Sequence, residues 1–444
     1  MLMRSALFNL GILAFLLSCK TTENQRGEHD NPKKNTPDTG RGTVDNLPAP
    51  IGPDAVKTPA PVFAWDPTKA TDPYLPAHGS VIPESNPFFG VRLLVNPLFT
   101  QAVDFSASKS PAMADTIKKY RDKPTALWLD TIGRVASLEP ALKLAVEQQT
   151  KTEDKVLVTL VIYNLPNRDC FANASNGELN KTELSRYRTE YIDRIKEILA
   201  RYPTVPVVAI IEPDSLPNLI TNLGKLRCDT ETPALYKGGI SYAVQSLQLP
   251  HVSLYIDLAH AGWLGWAFND DGADKRSSLV TIMREVIGTA RVRGFVTNVA
   301  NYTSLREPAN STRPESYYQF NKIHDEYTYV SALAGQLKAE QLPTSFIIDT
   351  SRNGNVKART DWSNWCNIKD TGLGALPTIA PRPDVDAFLW IKPPGESDGV
   401  SDANAERYDA RCQSMDSLRG APQAGQWFHE HFLGLVQNAQ TTLP

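Results

Sequence analysis

Five short stretches of this chain collect carboxylates, amides and aromatic rings just where apolar runs stop. The first is Val205–Asn222, VPVVAIIEPDSLPNLITN, in which the apolar run Val207–Ile211 reads as a strand buried on both faces and is halted by Glu212, Pro213 and Asp214. Pro213 cannot donate to a ladder and is expected to hold Glu212 extended, fixing two acids at a strand mouth. A bland reading competes, with Asp214 capping a helix from Ser215 and Glu212 serving as a buried ion-pair partner. The second stretch, Tyr163–Glu178 (YNLPNRDCFANASNGE), sets Arg168 beside Asp169 and then runs into Asn, Ser and Gly. The third, YIDLAHAGWLGW, carries Asp257, His260, Trp263 and Trp266. The fourth, WCNIKD, has Trp365, and the fifth, WIKPPGESDG, has Lys392, Glu396 and Asp398. Flat rings suited to sugar faces, amide and hydroxyl donors suited to sugar hydroxyls, and several acids point to glycoside hydrolysis, which needs two carboxyl groups in different protonation states. No nucleophile elbow, phosphate-binding loop, zinc motif or cofactor signature competes with that reading.

The elements needed to place these residues are legible. Strands are expected at Val91–Val95, Thr125–Leu129, Val156–Tyr163, Val205–Ile211, His251–Asp257, Gly294–Val299, Ser345–Asp349 and Ala387–Ile391. Between them, Glu183–Arg201 carries Leu184, Tyr187, Tyr191, Ile195 and Leu199 at helical spacing, with Thr182 as the expected cap. Further helices are expected at Thr232–Leu247, Lys275–Ala290, Tyr317–Leu337 and Gln426–Ala439. This alternation predicts an α/β fold, a single distorted TIM-like α/β barrel with its active site at the C-terminal ends of the parallel strands. His429 and His431 fall on different faces of the last helix and read as surface residues that cannot share a metal.

Composition narrows the setting. The chain has 444 residues, 41% of them apolar, and a net charge of −3, enough for a large core and too little positive charge for a nucleic-acid partner. Arg4 followed by the apolar run from Ala6 to Leu17 and by Leu16-Leu17-Ser18-Cys19 is similar to a bacterial lipoprotein signal, with Cys19 the lipidated residue. The protein is then expected to be exported and lipid-anchored at the outer membrane or cell surface of a bacterium. Residues 19–60, rich in Pro, Thr and Asn, form a tether that as a coil spans on the order of 35 Å, and residues 61–444 form the catalytic domain. Four cysteines remain, Cys170, Cys228, Cys366 and Cys412, which allow three pairings in an oxidising compartment. Cys170–Cys228 and Cys366–Cys412 are the expected pairs, each stapling a loop beside a strand mouth. No protein partner is evident.

The strings YNLPNRDCFANASNGE and IIEPDSLPNLITN resemble the two signature regions of glycoside hydrolase family six. The likeness continues through NPFFG (Asn86–Gly90), ALWLD (Ala126–Asp130), HAGWLGW, TNVANY (Thr297–Tyr302), WCN, KPPGESDG and APQAGQWF (Ala421–Phe428). It implies an inverting cellulase acting on β-1,4-glucan chains. By that resemblance Asp214 is the general acid, Asp169 the carboxylate that keeps it protonated and relays protons, and Asp398 the base, acting on water directly or through a chain. It also places Trp128, Tyr163, Arg168, Ser175, Asp257, His260, Trp263, Trp266, Asn301, Trp365, Lys392 and Glu396 against substrate, and marks Ser397 as a departure from the small residue fungal relatives often carry. The loops Asp169–Thr182 and Lys392–Gly420 both look complete, which implies a roofed cleft and exo action rather than an open one. A glucan-binding lipoprotein without catalysis is the rival reading; it would keep the tryptophans but has no need of Arg168, Asp169, Asp214 and Asp398 together.

Overall fold

The computed structural model describes residues 86–266, 274–307, 321, 323–355 and 359–441. The expected leader, Cys19 and the tether lie outside the described residues. Nine strands occur among the described residues: β1 (Val91–Leu93), β2 (Leu127–Leu129), β3 (Lys155–Ile162), β4 (Val207–Ile211), β5 (Val252–Asp257), β6 (Gly294–Thr297), β7 (Phe346–Asp349), β8 (Thr378–Arg382) and β9 (Val385–Leu389). All eight expected strands are present. The ninth, β8, runs antiparallel to β9, and its register slips between Ile379 and Arg382. Pro381 inside that stretch, which cannot donate to a ladder, is why it reads as loop in the sequence.

β3, β4, β5, β6, β7 and β9 pair in parallel, in that order, and β1 and β2 share the other edge of β3, beside Lys155–Leu157 and Leu160–Ile162 respectively. One bridge, Thr125 to Trp390, brings the curl back on itself. The sheet is therefore a curled, mostly parallel half-barrel, and its likeness to an evenly closed eightfold barrel is rough. Along β4 the side chains alternate: Val207, Ala209 and Ile211 pack toward the helices, Val208 and Ile210 into the space inside the curl. Burial on both faces is what the unbroken apolar run requires.

The helices Thr232–Ser246, Lys275–Ile287, Glu326–Ala339 and His429–Gln437 match expectation apart from their ends, and part of the expected Tyr317–Leu337 lies outside the described residues. Glu183–Arg201 differs. Thr182 donates its hydroxyl to Asn180 rather than capping, and the segment passes from Leu184–Arg186 through a π-helical stretch, Tyr187–Ile192, to Asp193–Ala200. The widened turn presents Tyr187 and Tyr191 side by side at the strand mouths. His431 is also not a surface residue, because its ring packs beneath the loops against Phe428 and Tyr302, 2% exposed, with Nε2 at Ile368 O.

Carboxylates hold the strand exits together. Glu212 accepts from the N–H groups of Asn164 (3.1 Å) and Leu165 (3.3 Å) and from the Tyr187 hydroxyl, so the exit of β4 grips the exit of β3. It is not extended, with φ at 46°, which corrects that expectation, and among the described residues it forms no ion pair, which goes against the bland reading of it. Asp257, ending β5, accepts from the N–H of Asp214 at 3.1 Å and of Ala259 at 3.2 Å. Asp349, ending β7, accepts from the N–H groups of Ser351, Ala300, Ile391 and Lys392. Burial raises Glu212 and Asp257 to about 7 and Glu326 to about 8.

A folded-state pKa above the unfolded one means the native protein holds protons that the unfolded chain releases, so stability is full below the unfolded value and falls as pH rises through the folded one. Buried His260 and His431, both shifted down by burial, act in the opposite sense, but only below the ordinary imidazole range near ~6.5. The melting temperature is therefore expected to fall by several degrees between about pH 7 and about pH 8.5. Thermal scans across that window check it, and a flat or rising melting temperature would contradict these buried, protonated carboxyl groups.

Candidate active site

The strand exits on one side of the sheet are tight left-handed turns. Asn167 and Asp169 after β3, Glu212 and Asp214 after β4, Ala259 after β5, and Asn298 and Ala300 after β6 all have positive φ. Such backbone is costly for residues other than glycine and gathers where geometry is over-determined by its surroundings. Here it turns side chains inward over a cavity of about 980 Å³, lined among others by Trp128, Asp130, Tyr163, Arg168, Asp169, Ser175, Asp214, His260, Trp263, Asn301, Trp365, Lys392, Glu396 and Asp398. Of the expected site residues, only Asp257 and Trp266 are not on its wall.

Asp214 and Asp169 face different surroundings. Asp214 carries a pKa well above the ordinary range, first because it is removed from water and then because Asp169, Asp257 and Asp398 crowd it with negative charge. Asp169 is raised by burial, with Ser175, Arg168 and Tyr163 opposing. Its Oδ2 accepts from the hydroxyls of Ser175 and of Tyr163, the latter at 3.3 Å. Two hydroxyl donors on one carboxylate oxygen favour an ionised Asp169, so a proton shared by the pair resides on Asp214. An acid and a base of the same residue type thus sit on neighbouring strand exits.

Arg168 is committed to the backbone. Its guanidinium donates to Ser175 O (2.9 Å), Asp130 O (2.6 Å), Tyr163 O (2.6 Å) and Asn176 O (3.1 Å), and lies 4.2 Å from the Tyr163 ring centre. It shapes the loop that bears Ser175. Asp398 is equally engaged: both oxygens take Arg352 Nη1, at 2.8 and 2.9 Å, and Oδ2 also accepts from the Tyr302 hydroxyl and the Asn367 N–H. Burial works to raise it, but the charges of Arg352 and Lys392 and the Asn367 N–H outweigh that and hold it below the usual carboxylate range. Lys392 Nζ lies 4.0 Å from Asp398 and 3.9 Å from Glu396, whose carboxyl burial pushes up to about 7.

The aromatic walls come next. Trp128 is fixed by Nε1 on Ile391 O and by an edge contact with Tyr163, and Trp263 by Nε1 on Thr221. Trp266 reaches the site at one remove, with its ring centre 5.2 Å from Trp362, which does line the cavity. Buried His260 pairs with Thr303 through Nδ1, and Asn301 Oδ1 accepts from Arg359.

Two loops meet over the cavity. Asn173 donates its N–H to Asp409 Oδ2 at 2.8 Å and its side-chain amide to Glu406 O (3.3 Å) and Tyr408 O (2.9 Å). Ala174 packs against the Cys366–Cys412 disulfide, and a Cβ placed on Gly399 would stand 2.5 Å from Ala174 Cβ, so only a residue without a side chain fits there. The Cys170–Cys228 disulfide anchors the other end of the first loop, as expected, and Arg227 donates to the carbonyls of Asp169 and Ala172. The departing residue Ser397 is fully buried and uses its hydroxyl on Pro422 O, outside both disulfides.

Sequence reasoning missed Asp130, Asp349, Arg352, Trp362, Arg407 and Arg411. Asp130 ends the quoted ALWLD string and could have been found by the strand-end rule that found Asp214. Asp349, which ends β7, falls under the same rule; Arg352, Trp362 and Arg407 stand alone in loops and Arg411 in a short 3-10 turn, without a motif.

The residues from 88 to 439 match the model of Glycosyl hydrolases family 6. A 1,4-beta-D-glucan cellobiohydrolase, CEL6C of Podospora anserina, is 38% identical over 394 residues, 88% of this chain and 96% of that one. CcCel6C, a glycoside hydrolase family 6 enzyme from Coprinopsis cinerea, superposes with a TM-score of 0.73 at 38% identity, covering 81% of this chain and 99% of that one. Cellobiohydrolase II (Cel6A) from Humicola insolens, solved with glucose and cellotetraose, gives 0.74 at 36% identity over 81% and 100%. With its strand exits, its acid pair and its roofed cavity in place, the chain belongs to glycosyl hydrolase family 6.

Proposed function

We propose that this protein hydrolyses β-1,4-glucosidic bonds of cellulose with inversion, threading one chain and releasing mainly cellobiose from its non-reducing end. Asp214, kept protonated by burial and by its acidic neighbours, donates to the departing glycosidic oxygen. Asp169 stays ionised, raises the affinity of Asp214 for its proton and relays protons through Ser175 and Tyr163. Asp398 remains an anion, and because its oxygens are already occupied it acts on the attacking water through a chain rather than by direct contact. Trp128, Trp263 and Trp365, with Trp266 behind Trp362, offer flat faces to successive glucosyl rings. Lys392, Glu396, His260 and Asn301 supply polar contacts, while Arg168 and Asp257 position the acid pair.

The observation that carries exo action is the seam at Asn173, which joins the two loops over the cavity so that a chain enters by its end. The names of the relatives support the same reading. An endo-acting enzyme would need the seam open, and a non-catalytic binder would have no use for the divided protonation of Asp169 and Asp214. We also place the protein outside the cytoplasm, anchored by lipid at Cys19, on the strength of the leader sequence alone.

Hydrolysis of cellotetraose followed by NMR tests the chemistry. The α-anomer should appear first, and Asp214→Asn should lose roughly 10²- to 10⁴-fold in rate. Asp169→Asn should shift the alkaline limb of the pH profile downward, because removing the neighbouring charge lets Asp214 ionise sooner. Early β-anomer, or normal turnover by Asp214→Asn, would end the proposal.

The mode of attack is read from carboxymethyl cellulose. Viscosity should fall slowly against reducing-end release, and a steep drop at low sugar yield would mean internal cuts. For the anchor, fatty-acid labelling should vanish in Cys19→Ser; label that persists would exclude Cys19.

A further inference from the structure

The wall of the cavity carries an arginine that no described residue engages by hydrogen bond or ion pair. Four arginines line the wall: Arg134 approaches Asp130, Arg168 is spent on four backbone carbonyls, and Arg411 donates to Ser363 and Asn364. Arg407 makes no hydrogen bond or ion pair with the described residues, and its Nε is buried without an acceptor. Buried donors in native proteins are nearly always satisfied, so this Nε, on a partly exposed side chain of the cavity wall, calls for an acceptor from outside. Its setting is costly as well, since burial and the nearby charge of Arg168 both disfavour the cation.

The backbone around it is deliberately held. Asn173 bonds to the carbonyls of Glu406 and Tyr408, the residues on either side of Arg407, so the seam that closes the roof also fixes where this side chain starts. Tyr163, Asp130 and Arg168, which with Glu406 act on its charge, line the same cavity. Asp130, Asp169 and Asp398 line it as anions and would repel another, so the acceptor is neutral and rich in oxygen.

We propose that Arg407 is a substrate-binding residue that grips the threaded chain from the roof, its planar fork donating to neighbouring hydroxyl oxygens of one glucosyl unit. The proposal rests on the hydrolase reading above and adds to it a contact that exists only when the two loops are joined. A lysine keeps the charge but loses the fork, and so does not substitute fully.

The test measures cellohexaose binding by calorimetry in the Asp214→Asn background, where turnover does not intrude. Arg407→Met should weaken binding about ten- to a hundredfold, the range for a hydrogen bond to a charged group, and Arg407→Lys should fall between. The melting temperature of Arg407→Met should not drop, because a cation with no protein partner contributes desolvation cost and no contact. Unchanged affinity would overturn the proposal, as would weaker binding accompanied by a clear loss of thermal stability, which would mark Arg407 as structural. Turnover of cellohexaose by the protein without substitutions judges the hydrolase reading separately. An inert protein whose affinity still depends on Arg407 would sink that reading and leave this one standing.

Discussion

A parallel sheet that curls around a site delivers every strand exit to the same place, and each exit brings backbone N–H groups that no ladder can satisfy. Here the strands end on acids that accept them. Glu212 takes the N–H groups leaving β3, Asp257 takes that of Asp214 leaving β4, and Asp349 takes those leaving β6 and β9. Unpaired, each buried donor would cost about 1–3 kcal/mol, so the acids are what permits so abrupt an exit. The left-handed backbone at Asp169, Glu212 and Asp214 is tolerable for the same reason.

The same desolvation then divides the remaining acids by what they touch. Asp398 meets Arg352 and stays charged, Asp169 meets two hydroxyls and is the better anion of its pair, and Asp214 meets mainly other acids and keeps its proton. One residue type fills both protonation states within one cavity. None of this needs an unusual side chain, only unequal access to donors.

That division explains what could be read from the chain and what could not. Strands announced themselves through runs such as Val207–Ile211 because burial on both faces leaves an unbroken apolar record. β8 did not, since a short antiparallel return containing Pro381 carries no such record. Asp214 and Asp169 were legible from their place after a strand, whereas Arg352, Trp362 and Arg407 meet the site only through loops whose path no local pattern encodes. Pro213 pointed to an extended Glu212, and the pull of three donors on its carboxylate overrode that local preference. Helical spacing put Tyr187 and Tyr191 on one face, but gave no sign of the π-helical turn that carries them.

The seam at Asn173 alters what counts as substrate. A cleft open along its length meets any exposed segment of a polymer, so its supply grows with surface. With Asn173 bonded to Glu406, Tyr408 and Asp409, and with Gly399 leaving no room for a methyl group between the loops, supply is set by the number of free chain termini. A fibre of long molecules is then nearly empty of substrate however much of it is present. Any agent that breaks chains in their middle would feed this protein in proportion to the breaks it makes.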